Sequence, residues 1–435
     1  MILKIFKTGL IVFCLATPMY AQQVLSLDDA LQIGLQNNYS VQIARNDAAI
    51  SSNNVTLGNA GFLPTVGMSG SLIQSINNSD QVYFSGDEVQ KTGAKNTTAS
   101  ANAGLNWTLF DGLSMFITQD QLKTLEVNGY LQAKQQVENT MSLIMVAYYT
   151  ILRDQYLLNA LNEQLTISSF RKGITEVRFS VGSASKIEVL KATVDFNGDE
   201  TSMLQQQAQL QKSKVQLNEL LSRDVSSDFS VDTTIQQQPT LTYDKLREDL
   251  LMGNLDLKLS DQYVKLAELN VKQTNSLRYP SLTFSTGYDV LRSKSESGFL
   301  LSNNNSSFYY GLTAGFNIFD GFNISRQHQN DKISLTTTQL QKEQTMLSLQ
   351  SQLKQMYLDY ENNLKLLGLE EQNLKYAQEN LNIASESYRI GQLSDLELRE
   401  IQKNLIDAKF RLADALYTSK MQETDLMRIT GNLVK

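Results

Sequence analysis

Four stretches of this chain alternate apolar and polar residues with a period of two. At 99–109 one face carries Ala99, Ala101, Ala103, Leu105, Trp107 and Leu109, and the other carries Ser100, Asn102, Gly104, Asn106 and Thr108. At 308–318 Phe308, Tyr310, Leu312, Ala314, Phe316 and Ile318 stand opposite residues that are mainly Gly, Thr and Asn. At 282–290 Leu282, Phe284, Tyr288 and Val290 oppose Thr283, Ser285, Gly287 and Asp289. The run 64–76 is weaker, with Val66, Met68, Leu72 and Ile76 interrupted by Gly70. A two-residue period with one apolar face is a half-buried strand. The pattern predicts strands at about 64–76, 99–110, 281–291 and 307–319. Each spans about 9–11 residues or a little more, the length of a tilted outer-membrane strand.

Between and after these strands the period changes. From Leu113 to Phe179 there is no proline, and the glycines are Gly129 and Gly173. A helix of that length rises ~100 Å. Val137, Met141, Ile144, Tyr148 and Ile151 step by four and three. Val189, Phe196, Met203, Leu210 and Leu217 are spaced by sevens, as are Leu398, Leu405, Leu412 and Leu426 with Ser419 filling the gap. A sustained seven-residue repeat implies coiled-coil packing. Long helices are predicted at about 112–179, 184–221, 321–388 and 394–431.

The chain also aligns with itself. "LSLDDALQIGLQNN" at 25–38 matches "LTYDKLREDLLMGN" at 241–254 with a shift of 216, and Pro64 and Pro280 keep that shift. The shift then falls to 209, where "LFDG" at 109–112 pairs with "IFDG" at 318–321 and "FSVGSASKIEVL" at 179–190 pairs with "YRIGQLSDLELR" at 388–399. The missing residues are expected in the loop joining two strands, where length changes are tolerated. Two copies of one unit result, 22–221 and 241–435, joined by a linker at 222–240. Each reads as a helix, two strands and two very long helices.

Within each copy, Asp111-Gly112 and Asp320-Gly321 sit where the period of two gives way to one near 3.6. Asp accepts hydrogen bonds from the first N–H groups of a helix, and Gly permits a tight change of direction. Pro64 and Pro280 mark the opposite junction, from helix to strand, because proline stops a helix.

Composition narrows the setting. Residues 1–21 combine a basic start (Lys4, Lys7) with an apolar centre from Leu10 to Ala16, and read as an export signal ending near Ala21. Cys14 lies inside it behind Phe13, where a lipoprotein signal needs a small residue, so removal rather than lipidation is expected. Without the signal the chain has no cysteine, and 36 Lys and Arg stand against 45 Asp and Glu. That balance, with no basic patch, disfavours nucleic-acid binding. His328 is the single histidine and sits in a polar helix start, "SRQHQN". The usual zinc and nucleophile sets are absent, so neither an enzyme nor a cofactor is expected. After the signal no apolar run reaches the ~18–20 residues of a spanning helix. An exported chain of this kind ends in the periplasm, outside the cell, or in the outer membrane as a barrel.

A soluble sandwich would need more hairpins, and it would not explain an opposite face of Gly, Ser, Thr and Asn, which suits a wet lumen. Four strands cannot close a barrel, and exposed edges are not tolerated in lipid. Closure must come from other copies, and three copies give twelve strands.

These features resemble the TolC-like outer-membrane efflux proteins over essentially the whole chain after the signal. The resemblance rests on "LSLDDALQIGLQNN", "GFLP" (61–64), the doubled strand-to-helix junction, the two tip segments at 179–190 and 388–399, and "LMRITGNL" (426–433). It implies an α+β, mainly α chain: a homotrimeric α-helical barrel capped by a shared 12-stranded transmembrane β-barrel, four strands per chain. It implies contact with outer-membrane lipid, a helical tube in the periplasm, and partnership with a periplasmic adaptor and an inner-membrane pump. The tube's mouth would be formed by turns at Gly182 and Gly391, the adaptor's docking points. A family tyrosine matches Tyr388, and its acidic partner matches Glu188. The family's basic residue past the second turn is Leu393 here, which leaves Arg389 as the relocated candidate. Glu397 and Glu400 match an acidic ring at the entrance, a cation-attracting constriction. On this reading Glu188→Ala with Tyr388→Phe should raise single-channel conductance. The alternative is a periplasmic adaptor with a helical hairpin, which would explain the heptads but has no need of four apolar-faced strands.

Overall fold

An asparagine breaks the helix that opens each half of the chain. In the computed structural model, which describes residues 24–232, 241–298 and 300–433, β1 (Val24–Leu25) is followed by α1 (Leu27–Asn37) and α2 (Tyr39–Asn53), parted at Asn38. Then come β2 (Thr65–Val82), β3 (Glu88–Asp111), α3 (Ser114–Ser180), α4 (Lys186–Leu220) and β4 (Ser230–Val231). The second half runs α5 (Tyr243–Gly253), α6 (Leu255–Ser276), β5 (Ser281–Ser295), β6 (Ser302–Gly315), α7 (Asn323–Arg389) and α8 (Asp395–Ile429). The α+β, mainly α class expected from the sequence is the class observed. The export signal expected at 1–21, with Cys14, lies outside the described residues, as do 233–240 of the expected linker. Among the described residues no helix is long and apolar enough to cross a membrane.

The two halves share more than order. α3 and α7 each have 67 residues, and α4 and α8 each have 35. Where one opening helix was expected in each half there are two. Asn38 and Asn254 take the same extended backbone at the break, φ −60 and ψ 124 against φ −59 and ψ 128. Each side-chain amide donates to a helix-end carbonyl, Asn38 to Leu220 O at 2.9 Å and Asn254 to Ile429 O at 2.9 Å. Asn254 also accepts from Leu257 N at 3.0 Å, so it caps α6. A side chain that satisfies backbone groups on two helices holds the bend where hydrophobic periodicity alone reads straight through it.

The helices and strands fall into two compact units. One gathers Met1–Tyr39, Asn139–Leu241 and Tyr357–Asp425. Its core at one end packs Leu25, Ala30, Ile144, Tyr148, Ile151, Leu217 and Phe229. There β1 pairs in parallel with β4, Val24 opposite Ser230 and Leu25 opposite Val231. The Tyr148 hydroxyl lies 3.1 Å from Leu25 O and 3.2 Å from Asp232 O, one donor shared between two strand-end carbonyls. Burial pushes its phenol up to about 12. A second core in this unit joins Leu381, Ala384 and Tyr388 to Leu398 and Leu405.

The other unit, Ser40–Glu138, Thr242–Met356 and Leu426–Lys435, holds the sheet. Four antiparallel strands lie in the order β2-β3-β5-β6, which leaves β2 and β6 as edges. Register places Ala103 opposite both Met68 and Tyr288, and Tyr288 opposite Phe308, so most of the apolar residues of the four strands share one face. That face is uncovered in the single chain: Met68 is 82 % exposed and Tyr310 76 %. The strands outrun the alternation that predicted them. The length difference between the halves is not in the strand-joining segments, which are five residues at 83–87 and six at 296–301; it lengthens β2 and β3. β6 stops at Gly315, short of the expected 319, so Phe316 and Ile318 lie beyond the ladder.

Two stability effects are expected. Asn254→Ala removes both bonds at a site 4 % exposed, and should cost about 1–3 kcal/mol, read as a lower thermal midpoint of the detergent-purified protein. Tyr148→Phe keeps the ring and removes the shared donor. It should cost about 1–2 kcal/mol and raise amide exchange at the β1–β4 pair, with exchange of the sheet unchanged.

Candidate functional site

Toward its C-terminal end α3 keeps the four-and-three spacing of a coiled-coil seam but changes chemistry. Ile144, Tyr148, Ile151 and Leu161 are apolar and buried, whereas Gln164, Ser168, Arg171 and Thr175 continue the seam as polar residues, still buried. Facing them, α4 presents Asp195 and Asp199, and α8 presents Asp395 and Arg399. Polar groups at such positions must find partners there.

Most do. Asp199, 4 % exposed, takes a bidentate pair from Arg399 at 2.8 and 2.9 Å, a bond from Gln164 Nε2 at 2.6 Å and one from Ser168 Oγ. Those bonds to Asp199 raise the Arg399 guanidinium above its ordinary range, against the opposing effect of burial. Arg171 is fully buried, donates to Asp195 and lies 3.6 Å from Asp395 through Nη1. Its Nε and Nη1 have no hydrogen-bond partner among the described residues. Asp195 also stands 3.8 Å from Arg399 Nε, which links the two arginines through one carboxylate. Three helices thus meet through two arginines and three aspartates.

Tyr388, 2 % exposed near the end of α7, extends the network. Its hydroxyl is 3.2 Å from Thr175 Oγ1 and 3.5 Å from Asp395 Oδ1, and Arg178 lies over its ring at 5.9 Å. The expected partner, Glu188, is elsewhere. Its carboxylate accepts from the Ser185 hydroxyl at 3.0 Å while its N–H donates to Ser185 Oγ at 3.2 Å, a capping box that starts α4. Within the chain, therefore, Tyr388 reaches Thr175 and Asp395 rather than Glu188. Arg389 is likewise engaged locally, with Glu386 of its own helix at 2.9 Å.

Glu397 repeats the Glu188 arrangement one half later. It accepts from the Ser394 hydroxyl at 2.6 Å and backbone N–H at 2.9 Å, and these bonds hold its carboxyl below the usual range. Glu397 and Glu400 are both exposed on α8. The turns before these caps are alike too. Gly182 and Gly391 have φ +77 and +78, and the residue after each donates back to a helix carbonyl, Ser183 to Arg178 O at 2.8 Å and Gln392 to Ser387 O at 2.9 Å. This is a glycine C-cap, and a Cβ at that φ would be strained. Between these tips a groove of about 1050 Å³ is lined by Glu188, Lys191, Asp195, Leu393, Asp395 and Arg399, among others.

The junction residues occupy the sheet unit. Gly112 (φ +72) lies so close to Ser276 O that a Cβ would stand 2.3 Å away. At Gly321 (φ +70) a Cβ would meet only Asn323 Nδ2, at an ordinary 3.6 Å. Asp320 accepts from Ile324 N at 2.5 Å and starts α7 as expected. Asp111 does not cap its helix: it is the last residue of β3, paired with Ser281, and its Oδ1 is buried without a partner among the described residues. Pro280 immediately precedes β5, four residues past the end of α6. Pro64 immediately precedes β2 but lies eleven residues past the end of α2, after an irregular segment, so it starts a strand without ending the helix.

This combination of sheet and helices has known counterparts. The outer membrane efflux protein family matches residues 30–223 and 246–432, one segment in each half. A probable efflux pump outer membrane protein, TtgC of Pseudomonas putida, is 21% identical over 419 residues, covering 93% of this chain and 83% of that protein. Among solved structures, the outer membrane protein VceC of Vibrio cholerae superposes with a TM-score of 0.73 at 15% identity, over 93% of this chain and 96% of that one. CusC does so with a TM-score of 0.76 at 15% identity, over 93% and 92%. The adaptor alternative is set aside by these matches, and the family is one of channels rather than of enzymes. The chain belongs to the outer membrane efflux protein family.

Proposed function

We propose that this chain is one third of a passive exit duct. Three copies close a 12-stranded barrel through the β2 and β6 edges, with the apolar face toward outer-membrane lipid and the polar face toward water. The long helices continue the duct as a tube in the periplasm, where an adaptor docks at the Gly182 and Gly391 turns and an inner-membrane pump supplies cargo. The two halves are copies of one unit, and residues 1–21 direct export and are removed. The observation that carries the reading is the four-stranded sheet with two free edges and an uncovered apolar face, because such a surface is stable only when edge meets edge in lipid.

The duct is closed at the helix tips. The polar seam holds α3, α4 and α8 of a protomer together through Arg171, Asp195, Asp199, Asp395 and Arg399, and Tyr388 ties α7 to α3 through Thr175. Breaking a buried pair costs about 3–5 kcal/mol when one partner is left behind. An adaptor that binds the open arrangement more tightly offsets that cost. Glu397 and Glu400, repeated by symmetry, ring the entrance with negative charge.

Detergent-extracted protein should be a trimer that conducts ions in planar bilayers. A folded monomer that needs no detergent, or a trimer that never conducts, would overturn the duct. Within a conducting trimer, Arg399→Gln with Tyr388→Phe should raise single-channel conductance severalfold, and Glu188→Ala alone should leave it near wild type. If the double variant conducts like wild type, the polar seam is not part of the closure.

A further inference from the structure

The polar face of the sheet is almost without charge. Alternate positions of β2 from Thr65 to Asn77, of β3 from Asn96 to Asn106, of β5 from Thr283 to Ser295 and of β6 from Asn303 to Thr313 share that face by register. They carry Gly, Ser, Thr, Asn, Ile73, Leu291, Tyr309 and a single acidic side chain, Asp289; a further carboxylate on this face, Asp111, lies at the end of β3 opposite Ser281 with its Oδ1 buried. The basic residues of β5, Arg292 and Lys294, fall on the opposite face.

Asp289 is held in place. The cross-strand row Ser69, Asn102, Asp289, Ser307 sets Asn102 beside it, and the Asn102 amide donates to Asp289 Oδ1 at 2.5 Å. Its other carboxylate oxygen has no partner among the described residues. The adjoining row is Gly67, Gly104, Gly287, Tyr309. Tyr309 lies flat across that row: a Cβ on Gly104 or Gly287 would stand 3.2 or 2.7 Å from its hydroxyl. The glycines give the ring a floor to lie on, and Asp289 in the next row is half-buried.

The geometry points to Asp289 as a second determinant of ion selectivity, inside the sheet and separate from the helix tips. The inference rests on the three-copy barrel proposed above: closure repeats Asp289 three times at one level of a nearly neutral, water-lined wall. Rings of carboxylates raise the local concentration of cations and lower that of anions. In a wide lumen the effect is confined to about a Debye length from the wall, ~10 Å at 0.1 M salt and ~3 Å at 1 M. It is therefore strong in dilute salt and weak in concentrated salt.

The test is the reversal potential of reconstituted trimers under a KCl gradient, for wild type and Asp289→Asn, each with the entrance acids intact and with Glu397→Gln and Glu400→Gln. Asp289→Asn should lower the K⁺ over Cl⁻ permeability ratio by about twofold in dilute salt, more clearly once the entrance acids are neutral, and by much less in concentrated salt. Asp289→Ser, suited to a serine-rich wall, replaces the Asn variant if that one does not assemble, as judged by heat-modifiable migration. Conducting trimers whose selectivity ignores both substitutions in both backgrounds would overturn the inference while leaving the duct intact. Wild-type trimers that do not conduct would instead count against the duct.

Discussion

Two strand edges without partners set the terms for everything else in this protein. β2 and β6 each present a row of N–H and C=O groups that the chain itself cannot satisfy. Water would satisfy them, but the adjacent apolar face, with Met68, Leu72, Phe308 and Tyr310 uncovered, would then stay exposed. Lipid would cover that face but leaves an unpaired backbone group unsatisfied at several kcal/mol each. Only edge-to-edge closure meets both demands. In the proposed duct, closure of the barrel is then a consequence of hydrogen-bond accounting rather than of any side-chain lock between subunits.

The duplication carries that constraint into detail. Its shift of 216 before the strands and 209 after them, read from the sequence, reappears in the bonds. Asn38 and Asn254, 216 apart, donate to Leu220 and Ile429, themselves 209 apart. Copies diverge where one of them gained a neighbour. Gly112 is pressed against Ser276 O, while Gly321 has only a loose contact with Asn323; Asp320 caps α7, while Asp111 belongs to the ladder. The strands, the long helices and their order were legible because alternation and heptads are long signals. The breaks at Asn38 and Asn254 were not, since a single residue with extended backbone leaves the apolar period on either side intact. The extra strand residues were missed for a related reason: beyond residue 76 in β2 the sequence turns polar on both faces, so nothing in the alternation marks where the ladder ends.

The helix tips were only half legible. The turns at Gly182 and Gly391 follow from glycine's tolerance of positive φ. The charge network did not, because a seam is recognised by its apolar members. Gln164, Ser168, Arg171 and Thr175 keep the spacing of Ile144, Tyr148 and Ile151 but break the chemistry. The available signal was a continued four-and-three period with the residue types replaced. A polar seam also behaves differently from an apolar one. Leucines sliding past each other lose little until they separate, whereas a bidentate Arg399–Asp199 pair tolerates almost no displacement before a buried charge is stranded. Such a joint is either made or broken, which suits a closure with two states.

The capping boxes explain why the acids nearest the turns take no part in that joint. Ser185-x-x-Glu188 and Ser394-x-x-Glu397 are the same motif 209 residues apart, and the signature was present in both tip segments. A glutamate reaching back to its own helix start is committed to it, because leaving would expose an N-terminal N–H as well as the carboxylate. Commitment does not discharge it, however. The bonds from Ser394 lower the Glu397 pKa and so hold it ionised further into acid. A capping carboxylate at an exposed tip therefore remains a fixed negative charge while being useless as a latch. In the proposed duct the division of labour follows: Glu397 and Glu400 would supply the field at the mouth, and the buried seam would supply the closure.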